Sequence, residues 1–310
     1  MRIGIDAMGG DFAPLEAVKG CVEVKRTVPE IVPVLFGDKA KITAVLSELN
    51  IPENTFEIVH AEEVIEMSEH ATKAIAHKKN SSINVAYRYL LEKQIEAFIG
   101  AGNTGAMLVG SMFSVKAING VQRPTIASIL PKVSGGFGVL LDVGANADCK
   151  PEVLNQFAIL GSLYAQNVYG IKQPKVGLLS IGEEKEKGNL LIQATYPLLE
   201  MNERIEFVGN VEGRDIFSDK ADVVVCDGYT GNIVLKVCEG FYYNLAKQGV
   251  QNDYLDRFNF KHYGGSAILG VNEPVIIGHG ISKADTFVSM FKQAKVVVDS
   301  KLIEKIKQSF

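Results

Sequence analysis

The sequence predicts an α/β protein built on a mostly parallel sheet, and three observations predict it. Short apolar, β-branched runs recur along the chain. Helix-length amphipathic segments lie between many of them. Glycine-rich polar turns follow most of the runs, and 30 of the 310 residues are glycine. Strands alternating with helices give a sheet covered on both faces.

The elements follow in order. Apolar runs at 2–5, 31–36, 55–59, 97–99, 126–130 and 139–141 are each too short for a helix and read as buried strands. Further runs at 175–181, 205–208, 222–226 and 275–277 read the same way. Amphipathic stretches at 14–27, 82–94, 105–118, 151–168 and 190–201 read as helices, with Pro14 and Pro151 suited to a first turn. The last segment, 284–306, sets Phe287, Val288, Phe291, Ala294, Val298 and Leu302 on one stripe, as expected for a core-packing terminal helix. No linker, repeat or low-complexity tract interrupts the series, so the expectation is one continuous α/β domain over 1–310.

Composition narrows the function classes. A formal net charge of −4 gives no support to nucleic-acid binding through a basic surface. The four cysteines, Cys21, Cys149, Cys226 and Cys238, form no CxxC pair and have no metal-site spacing. Scattered cysteines, no signal-like leader and no long apolar window point to a cytoplasmic protein. No metal is expected.

The strand-exit turns carry the chemistry. They include residues 6–11, 100–105, 142–146, 182–189, 209–210, 227–232 and 278–280. In a parallel sheet such turns share one edge, where ligands bind. Helices that follow present free N–H groups, so several turns together suit an anion. Gly100, Gly102 and Gly105 fit GxGxxG, but no Asp or Glu lies between Glu96 and Asp142, against a dinucleotide. A phosphate cradle needs only backbone donors with Asn103 and Thr104. The GxxxxGK[ST], HExxH and GxSxG patterns are all absent. The 183–189 turn reads either as a solvated charge run or as Lys187 placed beside an anion. His279, between Gly278 and Gly280, is the histidine best placed for the same edge.

The motifs MRIGIDAMGGD, KKNSS, GAGNTGA, RPTIA, LLDVGANADCKPE, EEKEKGN, FVGNVEGRD, ADVVVCDGYTGNIVLK and HYGGSAILG occur in this order along the chain. Together they resemble the PlsX family, the bacterial acyl-carrier-protein:phosphate acyltransferases of phospholipid synthesis. The resemblance implies a three-layer α/β/α fold like that of isocitrate and isopropylmalate dehydrogenases and of phosphotransacetylases. It implies a homodimer that moves a fatty acyl group from acyl carrier protein to inorganic phosphate, without a cofactor. The acyl phosphate product would feed a membrane glycerol-3-phosphate acyltransferase.

The resemblance places the active-site lysine at Lys187, followed by Gly188 and Asn189. It matches Gly102, Asn103, Thr104 and Gly105 to a phosphate turn. Asp142 and Asn146 fall in the family's DxGAN turn, and Asp227, Thr230 and Asn232 in its DGxTGN turn. The expected roles are charge neutralisation by Lys187, phosphate orientation by Asn103 and Thr104, and support from Asn189 and Asn232. Lys78, Lys79, Arg123, Arg257 and Lys261 are candidates for a basic patch facing the acidic carrier.

The chain departs from the family in one place. Members carry a long amphipathic hairpin before the YGG motif, whereas here 241–262 is too short for two such helices. Phe241, Tyr242, Leu245, Tyr254, Leu255 and Phe258 offer an apolar rim there, and the shortening weighs against the peripheral membrane contact that the hairpin gives other members. The alternatives are a phosphotransacylase acting on small acyl-CoA, a dehydrogenase of the same fold, and a non-catalytic lipid-synthesis scaffold.

Overall fold

The computed structural model describes residues 1–259 and 262–310. The chain forms two compact units, one of Met1–Ala117 with Phe260–Asp299 and one of Ile118–Asn259 with Ser300–Phe310.

In the first unit the strands are β1 (Arg2–Asp6), β2 (Val32–Gly37), β3 (Glu57–His60), β4 (Ala97–Gly100), β10 (Ser266–Leu269) and β11 (Val275–Ile277). Their order is β3-β2-β1-β4-β11-β10, parallel throughout except for the antiparallel β10–β11 pair. Ile3, Ile5, Leu35, Phe36, Phe98 and Ile99 are fully buried, as central parallel strands require. Helix α1 (Leu15–Thr27) turns Ala17, Val18, Cys21 and Val24 inward and packs on α10 (Ala284–Asp299). Helices α3 (Ala71–His77) and α4 (Ser82–Leu91) both pack on α5 (Thr104–Ser114). Ser81 caps α4 by accepting from the Asn84 N–H at 3.3 Å. Tyr87, on α4, meets Phe98 edge-on at 5.1 Å between centroids. The unit also holds α2 (Lys39–Glu48), capped by Asp38.

In the second unit the strands are β5 (Thr125–Pro131), β6 (Phe137–Leu141), β7 (Lys175–Leu179), β8 (Glu206–Val211) and β9 (Val223–Val225). Their order is β5-β6-β9-β7-β8, with β5–β6 an antiparallel hairpin and the rest parallel. Helix α6 (Pro151–Val168) buries Leu154, Phe157, Leu160 and Tyr164 against β6, β7 and β9. Pro151 opens it, where a missing N–H costs nothing. Helices α7 (Leu190–Glu200), α8 (Gly228–Lys247), α9 (Asp253–Asp256) and α11 (Leu302–Ser309) complete the unit.

All ten expected strands and all the expected helices are present, with ends shifted by a few residues. The single helix expected over 284–306 is two, because Lys301 adopts a left-handed conformation (φ 53°) that ends one helix and precedes the next. Pro14 stands at the N-cap of α1 rather than inside it. Thr55 belongs to a short 3₁₀ turn, so β3 begins later than its apolar run suggested. Strand β10 and helices α2, α3, α8 and α9 were not anticipated. Among the described residues, no helix is long and apolar enough to cross a membrane.

Candidate functional site

Within the first unit the exits of β1, β4 and β11 interlock. The Asp11 N–H donates to the Gly280 carbonyl at 2.8 Å, and the Gly278 N–H to the Gly100 carbonyl at 2.9 Å. A Cβ on Gly9 would lie 2.7 Å from the Gly102 nitrogen, so these two turns touch backbone to backbone. Asp6 ends β1 beneath them. Its Oδ1 accepts from the Met8 N–H at 3.1 Å, and burial pushes its pKa up to about 6, against the pull of backbone donors.

Asn103 caps α5 by accepting from the Ala106 N–H at 2.9 Å. Its amide donates to the carbonyls of Glu66, Met67 and Glu69 at 2.9–3.2 Å. This buried side chain therefore ties the loop before α3 to the start of α5. Thr104 is exposed at the first position of α5, and Gly105 follows. His279 is half-buried between Gly278 and Gly280.

Within the second unit Asp142 is a buried hub. Its Oδ1 accepts from the N–H groups of Ile126, Gly144 and Ala145 at 3.0–3.2 Å. Its Oδ2 accepts from the Asn146 N–H at 2.7 Å and the Asn146 amide at 2.9 Å. Burial pushes the carboxyl upward, and these donors oppose that shift. Asp227 caps α8, accepting from the Thr230 N–H and hydroxyl, each at 2.8 Å. The Gly228 N–H donates to the Asn146 carbonyl at 2.7 Å, which joins the two turns. Asn232 is exposed on α8, beside Gly144.

Lys187 is exposed on the turn between β7 and α7. Its neighbours in the charge run are paired: Lys185 with Glu200, and Glu183 with Lys220. Lys187 makes no ion pair among the described residues. The turn is held from below: Gln193 donates to the Glu186 and Gly188 carbonyls at 2.9 and 3.0 Å, and Asn210 to the Glu184 carbonyl at 2.8 Å. Gly188 has φ +107°. Asn189 caps α7 by accepting from the Ile192 N–H at 3.0 Å.

Cap chemistry separates these helix starts. The carboxylate of Asp227 already compensates the positive end of α8. Neutral asparagines cap α5 and α7, leaving those ends favourable to an added anion. The asparagines divide as well. Asn103 and Asn146 spend their amide donors internally, Asn146 also reaching the Pro124 carbonyl at 2.8 Å. The amides of Asn189 and Asn232 donate no hydrogen bond among the described residues, so they remain available to a ligand.

The four cysteines are poor nucleophiles. Burial raises every thiol pKa, that of Cys149 to about 12 with further help from Asp142 and Asp227.

Known proteins match this chain along its length. A family model described as fatty acid synthesis protein matches residues 1–305. The chain belongs to this family. A relative from Halothermothrix orenii named phosphate acyltransferase is 42% identical over 328 residues, covering 99% of this chain and 98% of its own. That alignment is longer than the 310-residue chain, so the relative holds residues that this member of the fatty acid synthesis protein family lacks. The likeness to PlsX proteins read from the motifs is borne out by these matches.

Solved structures bear out the three-layer α/β/α fold class. A phosphotransacetylase from Streptococcus pyogenes superposes with a TM-score of 0.69 at 15% identity, covering 96% of this chain and 94% of that one. A 4-hydroxythreonine-4-phosphate dehydrogenase from Klebsiella pneumoniae gives 0.57 at 13% identity, covering 96% and 97%. At such identities the likeness concerns the fold alone.

Asp6 and the Asn103 tether to Glu66, Met67 and Glu69 escaped the sequence reading. Of the cations suggested as a carrier patch, Lys78 pairs with Glu69 and donates to the Val64 carbonyl at 2.6 Å. Arg123 reaches the Asp148 carbonyl at 3.1 Å, and Arg257 reaches the carbonyls of Lys132 and Gly136. Lys79 is exposed, and Lys261 lies outside the described residues. Tyr254 and Phe258 stack edge-on, and Phe258 also meets Phe217 at 5.0 Å, so this part of the expected apolar rim packs within the second unit.

Proposed function

We propose that this protein is a phosphate acyltransferase that moves a long-chain fatty acyl group from a thioester of acyl carrier protein to inorganic phosphate. The observation that carries the reading is Lys187. It is an exposed cation with no ion-pair partner among the described residues, on a braced turn beside the neutrally capped start of α7. The full-length relatives named phosphate acyltransferase support it.

The chemistry asks for little acid or base. Phosphate is already anionic at neutral pH, and a thiol leaving group has a free pKa of about 8.5. A phosphate oxygen attacks the thioester carbonyl carbon. The C–S bond then breaks, and the departing thiolate takes a proton from solvent. The protein must hold phosphate near the carbonyl and stabilise the oxyanion. Lys187 supplies the positive charge, with Asn189 and Asn232 as supporting donors. Gly102, Thr104 and Gly105 offer backbone and hydroxyl groups to orient phosphate, and Asn103 fixes that turn. Asp142, Asn146, Gly188, Asp227 and Thr230 shape the second unit's turns, and His279 belongs to the strand exits of the first. The same reading includes a homodimer and a product consumed by a glycerol-3-phosphate acyltransferase.

Incubation with palmitoyl-[acyl carrier protein], palmitoyl-CoA or acetyl-CoA, with and without phosphate, tests the substrate. Phosphate-dependent thiol release from the carrier thioester is expected. Release only from acetyl-CoA would favour a small-molecule phosphotransacylase. Lys187→Ala is expected to lower kcat/KM by about 100-fold or more, the scale of losing one oxyanion donor, with unchanged melting. A folded Lys187→Ala protein of near-normal turnover would remove the lysine from the mechanism.

A further inference from the structure

The charge-run turn carries a second feature that electrostatics leaves unexplained. Ile181 is 81% exposed and Leu190 is 86% exposed, the two highest values among the large hydrophobic side chains described. They stand on either side of Lys187, one just after β7 and the other at the first position of α7. A Cβ on Gly182 would lie 2.9 Å from Lys187 Cγ, so the lysine stem folds back over the residue next to Ile181. Asn189, the α7 cap, adjoins Leu190.

We propose that Ile181 and Leu190 are specificity-determining residues that receive the acyl chain of the donor thioester. The inference rests on the acyl-transfer reading. If Lys187 neutralises the carbonyl oxyanion, covalent geometry starts the acyl chain within a few ångströms of that lysine. The first methylenes therefore meet the edges of the Lys187 turn, where Ile181 and Leu190 are the apolar side chains among the exposed Glu183, Glu184 and Glu186. Covering an aliphatic side chain with a hydrocarbon is favourable in proportion to the apolar area removed from water. The bracing by Gln193 and Asn210 fixes the backbone of the turn that separates the two side chains, at the carbonyls of Glu184, Glu186 and Gly188. The chain contacts grow with acyl length, while Lys187 acts equally on every donor.

The test measures kcat/KM for acyl-[acyl carrier protein] donors from four to sixteen carbons, at saturating phosphate. Ile181→Ser, Leu190→Ser and the double variant are compared with the wild type and with Leu190→Met. The double variant is expected to raise the KM for the sixteen-carbon donor about tenfold or more. The four-carbon donor, which offers fewer methylenes to the two side chains, loses less than the sixteen-carbon one, the KM for phosphate stays at the wild-type value, and Leu190→Met keeps the wild-type dependence on chain length. An equal loss on long and short donors, or no loss on either, would overturn the proposal. Misfolding of the serine variants, or a change in sedimenting mass, would show that another surface covers these side chains and would overturn it too. If the wild type shows no phosphate-dependent release from any donor, the acyl-transfer reading itself fails. A normal wild type with an unchanged chain-length profile in the variants removes only this inference.

Discussion

Asp6 shows how a single buried carboxylate can work against the fold that contains it. It is 2% exposed, and its pKa rises from 3.8 to about 6 because burial disfavours its charge. The native state therefore holds this proton over a range where the unfolded chain has released it. Stability from Asp6 is fully present below its unfolded pKa near 3.8 and is lost as pH rises through about 6. That rise in pKa corresponds to about 3 kcal/mol at neutral pH. Asp6→Asn keeps an oxygen to accept from Met8 but does not titrate. Its melting temperature relative to the wild type is expected to climb between pH 4 and pH 7 and to level off above. Parallel melting profiles for the two proteins across that range would contradict the burial argument.

At the scale of elements, the start of α8 depends on one missing side chain. A Cβ on Gly231 would sit 1.9 Å from the Asp142 carbonyl oxygen and 2.9 Å from Cys226 Sγ. Both neighbours belong to strand exits that cannot yield without disturbing the Asp142 hub. Gly231→Ala is expected to cost at least ~3 kcal/mol in denaturant unfolding, the upper range for overpacking. A loss below ~1 kcal/mol would mean that α8 shifts freely on its base. The glycine turns were legible because glycine marks close backbone approach whatever the fold. Helix α8 was missed although Tyr229, Ile233, Val237 and Phe241 recur at helical spacing; only Gly228 and Gly231 are buried along its 20 residues, so this stripe is not the core-facing one that the other helices show. Strand β10 was missed although Ala267, Ile268 and Leu269 form an apolar run as long as those read as strands at 97–99 and 275–277; it follows directly on the glycines of the YGG segment, which read as a turn. The break at Lys301 had no glycine to signal a left-handed residue. Asn103 looked like a ligand residue because its carbonyl partners lie 34–37 residues away in sequence. Pairing at that separation is a property of the tertiary fold.

At the scale of the whole molecule, α8 bears on the proposed dimer. Tyr229, Ile233, Val237 and Phe241 follow one another at four-residue intervals and are all exposed. Contiguous exposed apolar surface marks an interaction site. Burying such side chains in a self-complementary interface contributes about 1.5–3 kcal/mol each, and a C₂ pair uses the stripe twice. A carboxylate placed in that interface would lose its hydration with no partner, at a cost of several kcal/mol. If α8 joins two copies, the wild type sediments at twice the chain mass, and Val237→Asp with Phe241→Asp halves it. Because both side chains are exposed within one chain, the double variant is expected to keep its melting temperature at low concentration. A wild type that sediments as one copy would remove the dimer from the reading. An Asp variant that still sediments as two copies would place the interface elsewhere, and the exposed stripe of α8 would then need another partner.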